Sequence, residues 1–469
     1  MTATPSTIVS AVVRRSTRLD RACEAFLDEL GDWIHACVRR YEAAPPTGGH
    51  DQATYITSWE PWLRARDTRR VRRFLARSRD TIAAHFGRSG RWRHGYWRMG
   101  DVHHATEHFE LFLGTLCRMD RGDAATGAHL VDAVEHMGNW SDAVPPWFDW
   151  ESGLFHSKYF GSDGVGASSN LHVNVPDHLR CVNLCLQAYD VTHSSRYLEL
   201  AVRHGGQWAE AILADSRLPV AIGRSGPLYV SSAPTVALRR SAYQRLTSTI
   251  RRFTPRRVVR LARATHLSEV DKAERFLASN GVMTFLHLWR SSEQRRFRDA
   301  AERLIEPLIT QLGDPDAAAV AHVLRVYRTV TGDRRYDSCV LEHVDELAPW
   351  SFAELSVDLS SPRYERQPSG VGKRKDMLRW LEDGRPRRHS PALLSLAAEI
   401  RGDWDLAARA VDLARTYFTI ATQCLPDGRE HGCAARTVNG VARGHGRDNG
   451  TGVVTGVLAP MLESAAFAA

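Results

Sequence analysis

Residues 184–213, "LCLQAYDVTHSSRYLELAVRHGGQWAEAIL", decide the fold. Apolar residues recur in both halves at intervals of three and four, the spacing of one face of an α-helix. The polar stretch between the halves carries Thr and Ser, which stop one helix and cap the next. Because so short a turn forces the two helices to lie antiparallel, the stretch predicts a helical hairpin.

The same plan recurs four more times along the chain. It is found in residues 111–140 and in segments beginning at Phe285, His322 and Leu393. Further amphipathic helices are predicted over residues 6–42, 67–87 and 450–466, which brings the total to about twelve to fourteen helices. Strand patterns are confined to residues 218–232. The sequence therefore predicts an all-α protein.

Composition excludes several classes of protein. The 469 residues are 43% hydrophobic and 25% charged, which is typical of a globular chain with a large core. No apolar run reaches about 18 residues, so we expect no membrane span. Arginines follow the short N-terminal apolar patch, the reverse of a secretory signal, and we expect a cytoplasmic protein. The eight cysteines form no C-x-x-C pair and are interpreted as buried thiols.

A solenoid of hairpins would leave two ends to be capped, whereas a ring of about six closes on itself. The "AYDVTHSSRYLELA" pattern (188–201) resembles that of (α/α)6 toroid carbohydrate enzymes, the class that includes polysaccharide lyases, unsaturated uronyl hydrolases and sugar epimerases. The resemblance implies a toroid over residues 91–469, with the helices of residues 1–90 packing on it or starting it. It also implies an active site built from long loops at one rim.

An arginine-rich insertion at residues 236–266 interrupts this plan, with nine arginines between residues 239 and 263. Only Tyr243 and Phe253 could stack on bases there, so a solvated arm or lid is favoured over a nucleic-acid surface. We expect a sugar or oligosaccharide as the partner, and neither nucleic acid nor membrane. The sequence places no constraint on the oligomeric state.

Residues 100–120, "GDVHHATEHFELFLGTLCRMD", begin a helix with a polar cluster along the edge of its apolar face. His104, Glu107 and His108 spell H-x-x-E-H, and imidazoles four residues apart can share a zinc ion. The alternative is that these histidines form hydrogen bonds at a helix edge. No cofactor is otherwise required, and zinc is the one metal that the pattern indicates.

The long segment at residues 145–180 is rich in aromatic, glycine, histidine and acidic residues, a composition typical of a functional loop. Flat faces on which a sugar could stack are offered by Trp147, Trp150, Phe155 and Tyr159. An alternative is that the segment only plugs the ring.

Two chemistries fit this loop. For β-elimination at a uronic acid, the neutralising and basic groups would be Asn170, His172 and Asn174, with Tyr159 as acid or base; toroid lyases use residues of these types. A glycoside hydrolase instead needs two carboxylates across the scissile bond. The candidates for that pair are Asp149, Glu151 and Asp177.

A third cluster is "NGVARGHGRDNGTG" at residues 439–452. Its glycines allow close approach of the backbone to a ligand, and its anion-binding and proton-transfer groups are Arg443, His445, Arg447, Asp448 and Asn449. The RGHG stretch is similar to the Arg-Gly rim motif of unsaturated uronyl hydrolases, although the tryptophan that follows that motif is missing here. A glycine-rich helix cap is the alternative.

These observations favour a single toroid that cleaves a uronate-containing oligosaccharide as a lyase, with a glycoside hydrolase as the alternative. We expect residues near 104, 149–178 and 445 to meet at one rim. A non-enzymatic helical-repeat scaffold is a further alternative, but two loops dense in His, Asn, Tyr and acids would serve no purpose there.

Overall fold

A computed structural model describes residues 5–43, 54–66, 68–107, 112–120, 122–229, 267–312, 318–345, 390–424 and 453–466. Helices dominate these residues, as predicted. Their bounds are α1 Pro5–Ala43, α2 Glu60–Arg66, α3 Arg69–Arg88, α4 Val102–Glu107, α5 Gly114–Met119, α6 Ala124–Met137, α7 Leu179–Thr192, α8 Ser195–Leu213, α9 Glu269–Ala278, α10 Gly281–Ser292, α11 Arg295–Ile309, α12 Ala318–Thr331, α13 Asp337–Asp345, α14 Pro391–Arg401, α15 Trp404–Cys424 and α16 Ala459–Ala466. All five predicted hairpins are present, and the N-terminal helices lie within a few residues of their predicted bounds.

The hairpins close into a ring. Going around it, α5 packs on α7, α7 on α10, α10 on α12 and α12 on α14, while α15 returns along α14 and packs against α1. Helix α1 also contacts α16, and α2 contacts α5, so the two ends of the chain meet. The fold is therefore an all-α toroid, because its first and last helices are neighbours.

A buried arginine connects three inner elements of the ring. Arg325 on α12 donates to Ser395 on α14 at 2.6 Å and to the carbonyl of Gly456 at 2.6 Å. It also pairs with Glu399 at 2.9 Å. A buried charge is stable only when it is paired and hydrogen-bonded, and each of these contacts meets that need.

Short strands lie between the helices, and most fall where the sequence shows no strand pattern. Their bounds are β1 Trp92–Arg93, β2 Tyr96–Trp97, β3 Gly100–Asp101, β4 Phe148–Asp149, β5 Leu154–Phe155, β6 Tyr159–Gly161, β7 Gly164–Val165, β8 Val173–Asn174, β9 Ala221–Gly223 and β10 Gly226–Leu228. Only β9 and β10 fall in the predicted region. The segment at 145–180 is thus largely folded into hairpins rather than being one long loop.

Each of these strands is two or three residues long, so pairing rather than alternation of side chains defines it. β3, β6 and β7 form one sheet, β8, β9 and β10 form another, and β4 pairs with β5. All pairs are antiparallel. One sheet joins residues 100–101 to residues 159–165, and another joins residues 173–174 to residues 221–228.

No helix among the described residues has both the length and the apolar character needed to cross a membrane.

Candidate functional site

The polar start of α4 directly follows the sheet of β3, β6 and β7, in which Asp101 lies opposite Tyr159. Asp101 caps the helix by accepting from the His104 backbone N–H at 3.0 Å, and its other oxygen lies 2.9 Å from Nδ1 of His104. Burial acts to raise the pKa of Asp101, but these hydrogen bonds outweigh it and lower the pKa to about 2. The His104 side chain is thus engaged at the helix edge, which was the alternative to zinc binding.

The remaining zinc candidates are only partly described. The backbone of Glu107 ends α4, but its side chain and the whole of His108 lie outside the described residues. The zinc site at His104, Glu107 and His108 therefore stays a prediction.

Asp177 is joined to the same helix through a histidine. Nδ1 of His103 lies 3.5 Å from an Asp177 carboxylate oxygen, and Nε of the fully buried Arg180 lies 3.7 Å from that oxygen. Burial acts to raise the pKa of Asp177, but the hydrogen bond from His103 and the charge of Arg180 outweigh it and lower the pKa. Asp177 is therefore a carboxylate held in an ion-paired cluster and is unsuited to the role of proton donor.

Two aromatic residues that were predicted to stack on a sugar, Trp147 and Phe155, are buried in the core. Trp147 is fully buried, donates from Nε1 to the carbonyl of Gly161 at 3.2 Å, and packs on Tyr96 and Phe160. Phe155 is 2% exposed. The hairpins fold these rings inward against the helices, a placement that the sequence of a loop does not reveal. Stacking of a sugar on either ring stays a prediction.

Asn174 is likewise structural. Its side-chain oxygen accepts from the Phe155 backbone N–H at 3.0 Å and its nitrogen donates to the Phe155 carbonyl at 2.8 Å. The side-chain oxygen and one N–H of the amide are used in this way, and the side chain is 2% exposed, so its contacts hold the hairpin together. The half-buried Trp150 donates from Nε1 to Gly138 at 2.9 Å and packs on Trp140.

A small pocket with about 10 Å³ of free space, open to solvent, lies where the β4–β5 hairpin meets the sheet of β8, β9 and β10. Its walls come from three separate stretches of chain that the strand pairings bring together. The lining residues are Asp149, Ser152, Leu154, Phe155, His156, His172, Asn174 and Arg224. It is the candidate active site, because two imidazoles, a carboxylate and a guanidinium converge on it.

His156 in this pocket is held neutral. Burial lowers its pKa below 6.5, and the charges of Arg224 and His172 lower it further against the opposing effect of Asp149. A partly buried neutral imidazole beside a guanidinium is a suitable proton acceptor near pH 7.

The other imidazole has one nitrogen engaged. Nε2 of His172 lies 3.1 Å from the carbonyl of Gly166, and since a carbonyl only accepts, this nitrogen carries the proton. Nδ1 is then the atom that can act on a ligand.

Asp149 is an ionised hydrogen-bond acceptor. Its carboxylate accepts from the Ser152 hydroxyl at 2.8 Å and from the Glu151 backbone N–H at 3.0 Å. The hydrogen bond from Ser152, which outweighs the opposing effect of burial, lowers the pKa of Asp149. Glu151 is exposed on the same turn. The two carboxylates therefore belong to one turn, instead of facing each other across a cleft.

Several predicted residues do not meet in this pocket. Asn170 is exposed in a short 3-10 turn, and Tyr159 lies on β6 opposite Asp101. The cluster at Arg443, His445, Arg447, Asp448 and Asn449 lies outside the described residues, as does the arginine-rich insertion.

Sequence reasoning missed His156 and Arg224. His156 lies inside the segment at 145–180, but the candidate roles in that segment were assigned to other residues. Arg224 lies between two short strand candidates, and no spacing rule links it to a histidine 68 positions earlier. A charged residue between two strand candidates was the one available signal.

No protein-family model matches the chain, and no curated protein is similar to it in sequence. Among solved structures it is similar to an unsaturated glucuronyl hydrolase specific for heparin, with 11% identity, a TM-score of 0.45, and coverage of 85% of this chain and 97% of the other. It is also similar to cellobiose 2-epimerase from Spirochaeta thermophila, with 12% identity, a TM-score of 0.32, and coverage of 66% and 88%. Both neighbours are carbohydrate enzymes by name. At these scores the fold of this chain and the chemistry of its site are argued from its own contacts alone.

Proposed function

We propose that the protein is a lyase that cleaves a uronate-containing oligosaccharide by β-elimination in the pocket of Asp149, His156, His172 and Arg224. The observation that carries the proposal is the neutral His156 in the same pocket as Arg224. Elimination needs a base for a weakly acidic C–H and a cation for the neighbouring carboxylate, and this pair supplies both.

In the proposed reaction, Arg224, which is exposed at the β9–β10 turn, binds the uronate carboxylate and stabilises the charge that develops on it. His156 takes the proton from C5, and the electron pair of that bond forms the C4–C5 double bond. The C4–O bond breaks, and the leaving oxygen takes a proton from solvent, which later receives the proton held by His156. The products are an unsaturated uronate and a free hydroxyl, and no oxidant or reductant is consumed.

A glycoside hydrolase is less well supported by this pocket. Such an enzyme needs one carboxyl group kept protonated by an apolar setting. The pKa values of Asp149 and Asp177 are both lowered instead. The third candidate, Glu151, is exposed beside Asp149.

The test is a screen of uronate-containing oligosaccharides, read by the near-ultraviolet absorbance of the unsaturated product. We expect His156→Ala to lower kcat about 10²–10⁴-fold, the range for a lost general base. We expect Arg224→Gln to lower kcat/KM about 10²–10³-fold, the range for a lost charge-stabilising donor. Arg217→Gln is the matched control, since Arg217 lies outside the pocket and pairs with Asp215.

New reducing ends without the absorbance would identify a hydrolase and contradict the elimination. Full activity in both pocket variants would show that the reaction occurs elsewhere on the protein.

A further inference from the structure

Three metal-ligating side chains converge away from the pocket. Nδ1 of His94 lies 3.0 and 3.1 Å from the two carboxylate oxygens of Asp132, and Nε2 of His136 lies 3.5 Å from one of them. One ligand atom from each residue lies within 4.8 Å of the other two. Two imidazoles and a carboxylate form a donor set that first-row divalent metals favour.

Two of these residues come from one helix and the third from a hairpin. Asp132 and His136 are one turn apart on α6, so their side chains lie on the same face. His94 is at the β1–β2 turn, where it adopts a φ of +56° and is followed by Gly95 at +77°. A left-handed conformation is unfavourable for a residue with a Cβ. The β1–β2 turn nevertheless holds His94, whose ring contacts Asp132, in this conformation.

The burial of the His136 side chain is a second, independent observation that points to a bound metal. Its side chain is 1% exposed, and among the described residues neither of its ring nitrogens makes a hydrogen bond. Its Nε2 is 3.5 Å from Asp132, beyond good hydrogen-bond length. A buried polar group without a good hydrogen bond destabilises the fold. Such a group calls for a ligand, and its Nε2 is directed at the carboxylate.

We propose that His94, Asp132 and His136 bind one zinc ion. Ligand atoms about 2.0–2.1 Å from a tetrahedral zinc are roughly 3.3 Å apart, and the separations of 3.0 and 3.5 Å on either side of Asp132 bracket that value. The side chains of Asp132 and His94 are 48% and 28% exposed, so water reaches the fourth position.

The ion would connect the hairpin at 92–97 to α6. That hairpin packs its aromatic rings on Phe86 of α3, and the Tyr96 hydroxyl donates to the Ala133 carbonyl at 3.0 Å. Zinc would therefore stabilise the contact between α3 and α6. The site is separate from the H-x-x-E-H stretch, because it uses none of those residues.

The test is zinc titration of the chelator-treated full-length protein against a chromophoric competitor, together with metal analysis and thermal unfolding. We expect one zinc per chain and a rise in Tm on adding zinc. Because loss of a supporting residue alone costs 10–100-fold in affinity, Asp132→Asn and His94→Ala should each weaken binding by at least about 100-fold. Asp132→Asn keeps the shape of the side chain, so it is informative even if His136→Ala fails to fold.

His129→Ala, on the same helix but outside the cluster, should leave zinc affinity unchanged. Absence of zinc binding to the wild-type protein would overturn the proposal. So would zinc that is retained by Asp132→Asn and lost by His104→Ala.

Discussion

Two buried histidines secure the pocket hairpins to the helices. His178 donates from Nε2 to the Ser157 carbonyl and accepts at Nδ1 from the Val175 N–H, which is the pattern of a neutral ring. His204 on α8 donates from Nδ1 to the Gly153 carbonyl at 2.9 Å. Both are fully buried.

These two rings predict acid sensitivity. Burial lowers the pKa of His178 from 6.5 to about 4 and that of His204 to about 3. In the unfolded chain these rings take up protons near pH 6.5, whereas in the folded protein they stay neutral down to about pH 4. The stabilisation is therefore fully present above pH 6.5 and is lost as the pH falls through this window. Each ring contributes on the order of 3 kcal/mol to that loss.

Urea unfolding followed between pH 7 and pH 4 checks this prediction. A free energy of unfolding that stayed constant over that interval would contradict the neutral assignment of both rings.

His156 gives a prediction that is independent of turnover. The charge of Arg224 lowers its pKa, after the larger effect of burial. Arg224→Gln removes that charge and should move the His156 pKa upward, toward 6.5. The measurement is an NMR titration of ring-labelled histidine, with Arg217→Gln as the control. An unchanged His156 pKa would show that the two side chains do not share the pocket.

At the scale of elements, the β4–β5 hairpin depends on two side-chain amides. Asn174 satisfies both backbone groups of Phe155, and Asn139 similarly accepts from the Trp147 backbone N–H at 2.9 Å. Strands of two residues make too few ladder hydrogen bonds to hold themselves, so side chains complete the pairing. The predicted loop is ordered for this reason.

Replacing the Asn174 amide should therefore destabilise the protein. We expect Asn174→Ala to lower the free energy of unfolding by about 2–4 kcal/mol, because a buried N–H and a buried carbonyl lose their partners. Asn170→Ala, at an exposed position, should change it by less than about 0.5 kcal/mol. Chemical denaturation measures both, and equal effects would contradict the structural role of Asn174.

At the scale of the whole molecule, closure depends on the contact between α1 and α15. Phe26 packs on Phe418 with ring centroids 5.3 Å apart, and Glu29 pairs with Arg415 at 2.7 Å. Arg64 and Glu463 add a second, exposed link at 3.1 Å. The aromatic pair contributes most of the stabilisation, since exposed ion pairs contribute little.

Closure can be tested by a double-mutant cycle. We expect Phe26→Ala and Phe418→Ala each to cost about 3–5 kcal/mol in stability. Together they should depart from additivity by roughly 0.5–1.5 kcal/mol, the range for an aromatic pair. Phe26→Ala combined with Phe297→Ala is the control, since Phe297 packs on Phe285 in another hairpin. Additivity of the first pair would contradict a stabilising contact between Phe26 and Phe418.

The sequence by itself determined the helical hairpins and the antiparallel order within each. Apolar spacing and turn residues act over a few positions, so one stretch such as 184–213 contains all the information that its hairpin needs. The bounds of α1 and α3 were predictable for the same reason. Asp149 and His172 were found because they lie in one conspicuous segment.

Only the tertiary structure decided which polar residues meet and which aromatic rings are buried. Trp147 and Asn174 are residue types common in binding loops. Strand pairing nevertheless places Trp147 in the core, and Asn174 completes a hairpin. Arg224 reaches His156 through β9 pairing with β8, and His94 reaches Asp132 across 38 positions. Such contacts depend on how separate elements pack, and the spacing of residues within one stretch of sequence does not predict that packing.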